Sequence, residues 1–216
     1  MAQNGSGTTH PMEARLRVDP DSAFAENDFV VDSKVYTGDS SGGSCRILCN
    51  EIGSKVFRLT ADPGQGDWFF PYVWTTEGGV GTCEVPAGQA DGTIIATGAM
   101  NGCSLQVNRS HDDLFFYHDT TSVSMSGKLA PGEVVALVEP AQYAGTDDLG
   151  AALSAEYSRR HSTSAAMFEH HLVTIRAGGV WKVYCSSVLR IQSSDNSVRY
   201  QSFKPKPTKL VSLFPA

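Results

Sequence analysis

The sequence has no long apolar run, no cluster of basic residues and no recognisable export signal. No apolar stretch approaches the roughly 20 residues that a membrane-spanning helix requires, so we expect no membrane span. Residues 1–20 lack a charged head followed by an apolar stretch, which argues against a cleavable secretory signal. The net charge of −6 and the scattered Lys and Arg argue against binding to nucleic-acid phosphates. These absences predict a cytosolic protein, or one that is exported without a cleaved signal.

Disulfides and metal sites are also not indicated. The five cysteines are an odd number, so at least one cannot form an intramolecular disulfide, and without an export signal we expect reduced thiols. Cys45 and Cys49 fall on one face of a predicted strand and lack further ligands at metal-binding spacing, so we interpret them as structural. His170 and His171 are adjacent in a predicted strand and therefore face opposite ways. We predict no metal and no cofactor.

Short apolar or alternating segments recur along the chain between turns rich in Gly, Pro and Asp, a pattern typical of β-strands. About a dozen such segments are present, the first at residues 12–19. "DPGQGD" (62–67) predicts a turn, and "RAGGVWKV" (176–183) predicts a tight hairpin. The one clear helical pattern is residues 146–161, where apolar side chains recur at helical spacing.

This pattern predicts an α+β fold: a β-sandwich of two mostly antiparallel sheets flanked by helices and long loops. We expect residues 1–11 to be a flexible N-terminus and residues 12–216 to form a single domain, since no linker separates two units. The aromatic segment Trp68–Trp74 is interpreted as core filling. Loops 61–68 and 75–92 are the places where we expect contacts with a binding partner.

The segment "GAMNGCSLQVNRSHDDLFFYHDT" (98–120) is the best candidate for chemistry. A cysteine thiol needs a nearby base to act as a nucleophile, and a histidine is the usual one. If the segment forms a hairpin that turns at residues 110–111, Cys103 pairs with about position 118, with Cβ atoms roughly 5 Å apart. His111 would then lie at the tip of the turn, away from the thiol. The hairpin therefore favours His118 as the base.

Neighbouring residues extend this hypothesis. Gly102 permits a sharp turn and close approach of a substrate, and the backbone N–H groups of Gly102 and Ser104 are candidates to stabilise an oxyanion. Asp119 would point to the opposite face of its strand from His118, so we do not include it in a catalytic triad. On the residues alone, an inert buried Cys103 in an ordinary β-protein remains the alternative.

"MNGC" (100–103), followed by a histidine in "FFYH" (115–118), resembles the catalytic region of the cytotoxic necrotizing factor and Burkholderia lethal factor family. The family motif has Leu and Ser where this chain has Met and Asn. The resemblance implies a β-sandwich that deamidates a glutamine side chain of a host protein, with a possible transglutaminase side activity. It also implies Cys103 as the nucleophile and His118 as the general base, with Thr97, six positions before the cysteine, beside the histidine.

The resemblance further implies how such a protein is used. It predicts a secreted bacterial effector or toxin, monomeric, that acts in the host cytosol on a small GTPase or a translation factor. Two alternatives stay open. One is another Cys–His acyl-transfer enzyme, a protease or acyltransferase, that uses the same residues. The other is a non-catalytic β-sandwich binding module in which the thiol is inert.

Overall fold

Two β-sheets dominate the protein. The computed structural model describes residues 10–75, 79–125, 130–143, 155–160, 164–202 and 209–215. Among these residues, many more lie in strands than in helices. The strands form one eight-stranded and one four-stranded sheet, both mostly antiparallel. The predicted α+β sandwich of two mostly antiparallel sheets is confirmed.

The elements follow one another in the chain as short helices, a long series of strands and a brief helical interruption. The helices are α1 (Pro11–Val18), α2 (Pro20–Glu26) and α3 (Pro140–Tyr143), and residues 155–160 are also helical. The strands are β1 (Asp28–Ser33), β2 (Gly43–Gly53), β3 (Val56–Phe70), β4 (Val80–Pro86), β5 (Ile94–Thr97), β6 (Ser104–Ser110), β7 (Asp113–Asp119), β8 (Glu133–Val138), β9 (Ser164–Ala177), β10 (Val180–Ser193), β11 (Val198–Ser202) and β12 (Lys209–Pro215).

The strand predicted at residues 12–19 is wrong, because this segment is helix α1. Proline stands at the first helical position, where an N–H would have no partner within the helix. Asp19 is the C-cap, and its backbone N–H donates to the Arg15 carbonyl. The two fully buried residues of the helix, Glu13 and Leu16, are three apart, which is helical rather than strand spacing. The predicted helix at 146–161 is helical at residues 155–160, and its earlier part lies outside the described residues.

The eight-stranded sheet has the order β1-β3-β5-β9-β10-β11, with β2 added to β3 and β12 added to β10. β3 runs parallel to β1 and β5, and the other pairings in this sheet are antiparallel. β9 and β10 are joined by the predicted hairpin, whose two turn residues Gly178 and Gly179 both have positive φ (63° and 75°). Two glycines in this conformation are what a two-residue hairpin turn requires.

Side chains of β9 and β10 cover the free edge of β1. The Phe29 N–H donates to Ser186 Oγ at 2.6 Å, and the Val31 N–H donates to His171 Nδ1 at 3.3 Å. These two hydrogen bonds hold β1 against β9 and β10. His171 is buried in this structural role, whereas the side chain of His170 points to Ser187.

The turn predicted at residues 62–67 does not separate two strands, because β3 continues on both sides of it. The ladder with β2 passes from Arg46↔Asp62 to Cys45↔Asp67, and residues 63–66 bulge out of it, exposed to solvent. Glycine and proline are typical of β-bulges as well as of turns, so the same residues fit the bulge observed here. Within the loop expected at 75–92, the described residues include strand β4.

The four-stranded sheet, of order β4-β7-β6-β8, packs one face against the large sheet. Phe116 of β7 meets Phe70 and Phe214 of the large sheet, with ring centroids 5.7 and 6.4 Å away. Side chains at alternate positions of β6 and β7 therefore point between the two sheets. None of the helices in the described residues is long and apolar enough to cross a membrane.

Candidate active site

Cys103 ends a tight turn that leads into β6. Its N–H donates to the carbonyl of Met100 at 3.2 Å, and Gly102, between them, has φ +83°. A side chain at Gly102 would meet open space, so the backbone conformation is what restricts this position to glycine. Gly102 itself is exposed, while Cys103 is 1% exposed and faces the core between the sheets.

Residues distant in sequence hold this turn in place. The Tyr143 hydroxyl lies within hydrogen-bond distance of the Met100 carbonyl and 2.6 Å from the Cys103 carbonyl, and these two acceptors share its one proton. The Met100 N–H donates to the His170 carbonyl at 2.7 Å, and the His170 N–H donates to Asn101 Oδ1 at 3.0 Å. Asn101, which departs from the family motif, thus ties the turn to β9. Sequence reasoning missed the anchoring roles of Tyr143 and His170, since neither is near the motif in the chain.

His118 lies on β7, fully buried, with its ring between the sheets. Its Nδ1 is 2.8 Å from the Thr97 hydroxyl, which donates its own proton to the Phe70 carbonyl at 2.8 Å. Because that proton is already used, the hydroxyl must accept from Nδ1–H, and this assigns the tautomer of the ring. Nε2 is then the unprotonated nitrogen, and it is buried without a hydrogen-bond partner among the described residues. The structure thus brings Thr97 and His118 together from opposite sheets.

The register of the hairpin differs by two residues from the prediction. Ser110 pairs with Asp113 around a two-residue turn that includes His111 (φ 55°), so His118 lies opposite Leu105 and not opposite Cys103. Cys103 lies in the turn just before β6 and has no partner in the ladder, but it faces the same core between the sheets as Leu105. No hydrogen bond joins the thiol to the unpartnered Nε2.

The two groups are electrically neutral in the resting protein. Burial, followed by the nearby carboxylate of Asp119, raises the pKa of Cys103 to about 11. Burial lowers the pKa of His118 to about 4, and Asp119 acts in the opposite direction. Asp119 itself accepts hydrogen bonds from Thr121 and from the Met125 N–H, so it shapes the loop after β7. Both groups are therefore in their neutral forms near neutral pH, with His118 able to accept a proton.

Of the backbone N–H groups around the thiol, the one of Cys103 donates within the turn. Ser104, one of the two residues predicted to stabilise an oxyanion, is the first residue of β6 and lies opposite Asp119 in the ladder. Burial raises the pKa of the Tyr143 phenol, and the backbone of Gly102 and Cys103 acts in the opposite direction.

The aromatic segment after β3 divides into a buried and an exposed part. Phe69 and Phe70 fill the core as predicted, but Tyr72 is 46% exposed and Trp74 is 71% exposed, so core filling is wrong for these two. The Tyr72 ring meets the His118 ring edge-on, with centroids 5.2 Å apart. Sequence reasoning missed Tyr72 as a neighbour of the site.

A second group of polar side chains lies behind the turn. His170 Nδ1 is 2.7 Å from Ser187 Oγ, which is 3.6 Å from Cys185 Sγ. The first contact joins β9 to β10 and the second lies within β10, so we assign this group a structural role. In the part of the chain that the structure describes, no group of three or more His, Cys, Asp or Glu side chains is placed to hold a metal ion.

Comparison with protein-family models and with curated proteins finds no match to this chain. The candidate site therefore stands on its own contacts: a turn that presents Cys103, a histidine oriented by a threonine, and a tyrosine above the histidine ring. The short motifs at 100–103 and 115–118 carry the family resemblance by themselves.

The burial of His118 predicts a pH dependence of stability. A histidine has a pKa of 6.5 when unfolded, whereas His118 titrates at about 4 in the folded protein, so the unfolded state binds more protons between these values. We expect the free energy of unfolding to fall as the pH drops from 6.5 to 4, by up to about 3 kcal/mol from this residue. Above pH 6.5 the ring is neutral in both the folded and the unfolded state, so His118 does not lower the free energy of unfolding there.

Urea unfolding of the wild type and of His118→Gln at several pH values measures this contribution. The glutamine variant keeps a side chain of similar length but has no titrating ring, so its stability should decline less over the same range. Parallel curves for the two proteins would show that His118 is not held neutral by burial.

Proposed function

We propose that this protein is a thiol-dependent protein-glutamine deamidase. The observation that carries the proposal is the buried His118 ring, oriented by Thr97 so that a bare Nε2 lies on the same inner face as Cys103. A buried polar nitrogen without a partner is costly, and an active site is one setting in which such a cost is retained. The resemblance carried by the two motifs supplies the reaction class.

In the proposed reaction His118 Nε2 takes the proton of the Cys103 thiol as Sγ attacks the carboxamide carbon of a glutamine. The C=O electron pair moves to oxygen, giving a tetrahedral oxyanion. The intermediate collapses as the imidazolium returns its proton to the nitrogen, ammonia leaves and a thioester remains. Water then attacks the thioester with His118 again as the base, giving glutamate and the free thiol. An amine in place of water would give a cross-link.

Burial of the site favours a side-chain amide over a main-chain one. Cys103 is 1% exposed and His118 0% exposed, so the scissile group must enter a covered space. A glutamine carboxamide stands at the end of a slender, flexible stem, whereas a peptide bond carries chain on both sides. Deamidation is therefore proposed ahead of proteolysis, with a protein as the substrate.

The resemblance suggests the setting in which this reaction takes place. We propose a host-cell protein as the target, by analogy with the small GTPases and translation factor modified in that family, and an effector that acts in the host cytosol. A neutral-to-negative change at one glutamine is a large perturbation where that residue orients water or contacts nucleotide.

The test is mass spectrometry of host-cell lysate after incubation with wild type or with Cys103→Ser. A glutamine that becomes glutamate only with the wild type establishes the reaction and names the target. Protein fragments that depend on Cys103 would instead establish a protease. Equal spectra for the two proteins, together with a thiol that iodoacetamide does not modify in the folded state, would leave the non-catalytic binding module.

Replacement of Thr97 tests how the imidazole is oriented. Thr97→Val keeps the shape but removes the acceptor for His118 Nδ1–H, so we expect acyl transfer to slow by about tenfold to a hundredfold. Thr97→Ser keeps a hydroxyl and should stay near the wild-type rate. Nitrogen NMR shifts of the ring report the tautomer directly: Nδ1–H in the wild type and the serine variant, and a mixture in the valine variant. An unchanged tautomer in Thr97→Val would contradict the assignment.

A further inference from the structure

The proposed reaction passes through an oxyanion, and the turn around Cys103 offers few free donors to receive it. The Cys103 N–H is 3.2 Å from the Met100 carbonyl, to which it donates. The Tyr143 hydroxyl lies within hydrogen-bond distance of the carbonyls of Met100 and Cys103, which share its one proton. A donor from another part of the chain would add to the backbone N–H groups of the turn in stabilising the oxyanion.

Tyr72 is placed to supply it. Its ring lies edge-on to the His118 ring at 5.2 Å, and its Cβ would be 3.5 Å from a side chain at Gly98, the residue after Thr97. The side chain thus packs over the end of β5 and the imidazole together. It is 46% exposed, and its hydroxyl has no hydrogen-bond partner within the described residues. Its position is at the boundary between the covered site and solvent, where a substrate must enter.

The phenol also lies within electrostatic reach of the thiol. Burial, followed by the nearby Cys103 sulfur, raises the pKa of Tyr72. The hydroxyl consequently remains protonated near neutral pH and is available as a donor. Tyr143, the other phenol in contact with the turn, is already committed to the carbonyls of Met100 and Cys103.

We propose that Tyr72 is a catalytic residue whose hydroxyl donates a hydrogen bond to the oxyanion formed on Cys103. This inference rests on the proposed acyl-transfer function and adds a side chain to its machinery. As Sγ bonds to the carboxamide carbon, the C=O electron pair moves to oxygen and the Tyr72 O–H donates to it. No proton is transferred from Tyr72. The hydrogen bond is released when the carbonyl re-forms and ammonia departs.

Two small reagents separate this role from a merely structural one. p-Nitrophenyl acetate acylates a thiol through a tetrahedral oxyanion, whereas iodoacetamide alkylates it by displacement at a saturated carbon and forms none. Both rates are measured at Cys103 in the full chain by peptide mass spectrometry, for the wild type and Tyr72→Phe, and Cys103→Ser gives the background at this position. Tyr72→Phe keeps the ring against His118 and removes only the hydroxyl. Tyr117→Phe, which removes the hydroxyl of the residue next to His118 on the other face of β7, is the matched control.

We expect Tyr72→Phe to lower acylation by about a hundredfold and to leave alkylation within about twofold of the wild type. Tyr117→Phe should change neither. The proposal is overturned if acylation is unchanged in Tyr72→Phe, if both rates fall together, or if neither reagent modifies Cys103 in the wild type. A selective loss of acylation, without any glutamine converted in lysate, would sustain Tyr72 as the oxyanion donor and refute deamidation, so the two proposals fail separately.

Discussion

Replacement of Cys103 by alanine is expected to lower the rate of acyl transfer by about a thousandfold or more. The thiol is the group that forms the covalent intermediate in the proposed reaction. The measurement is release of ammonia from the glutamine-containing target, or acylation by p-nitrophenyl acetate. Because the thiol has a pKa of about 11, its reaction should depend on His118 as a base near neutral pH.

Cys83→Ala is the matched control for this variant. Cys83 is 3% exposed, belongs to the same core between the sheets, and has a pKa raised to about 12 by burial and then by Glu84. Both alanine variants remove one buried sulfur and should lose similar stability. Only Cys103→Ala should lose activity. Equal activity in the two variants would show that Cys103 is a core residue and no more.

The strand pattern and the tight hairpin at residues 176–183 could be predicted from sequence because both depend on neighbouring residues. Alternation identifies a strand locally, and two glycines in succession identify the turn that joins β9 and β10. The predictions for residues 12–19 and 62–67 differ from the structure because the local sequence there is compatible with two conformations. A short amphipathic segment suits a helix or a strand, and a Gly-Pro-rich segment suits a turn or a bulge.

The site could be predicted only as far as one hairpin extends. Cys103 and His118 lie on adjoining segments, so their shared face follows from the pairing, although the register required the position of the turn to within one residue. The contacts of Tyr143 and Tyr72 depend on how α3 and the end of β3 pack against the motif. Such packing is fixed by tertiary structure, and no pattern in the chain encodes it locally.

The two sheets must also be held at a fixed separation for Thr97 to reach His118, and Asp67 anchors the strand that carries Thr97. Its carboxylate accepts from the Ile94 N–H at the start of β5 at 3.0 Å and from the Ile47 N–H of β2 at 2.8 Å. Both oxygens also accept from Arg17, at 2.7 Å each. One buried side chain thus joins α1, β2, β3 and β5.

We therefore expect Asp67→Ala to lower the free energy of unfolding by about 3 kcal/mol or more, since it leaves two buried N–H groups and a half-buried guanidinium without their acceptor. In this variant Arg17 still pairs with Glu13 at 3.2 Å, so we expect a loss of stability near the lower limit of the roughly 3–5 kcal/mol typical of a broken buried ion pair. Asp62→Ala, on the same strand, removes an exposed pair with Lys34 and should cost at most about 1 kcal/mol. Chemical denaturation of the three proteins gives both values, and similar losses for the two variants would contradict the anchoring role of Asp67.

The tautomer of His118 should also change more in Asp67→Ala than in Asp62→Ala. Without Asp67, β5 is held less firmly and no longer keeps the Thr97 hydroxyl against the ring.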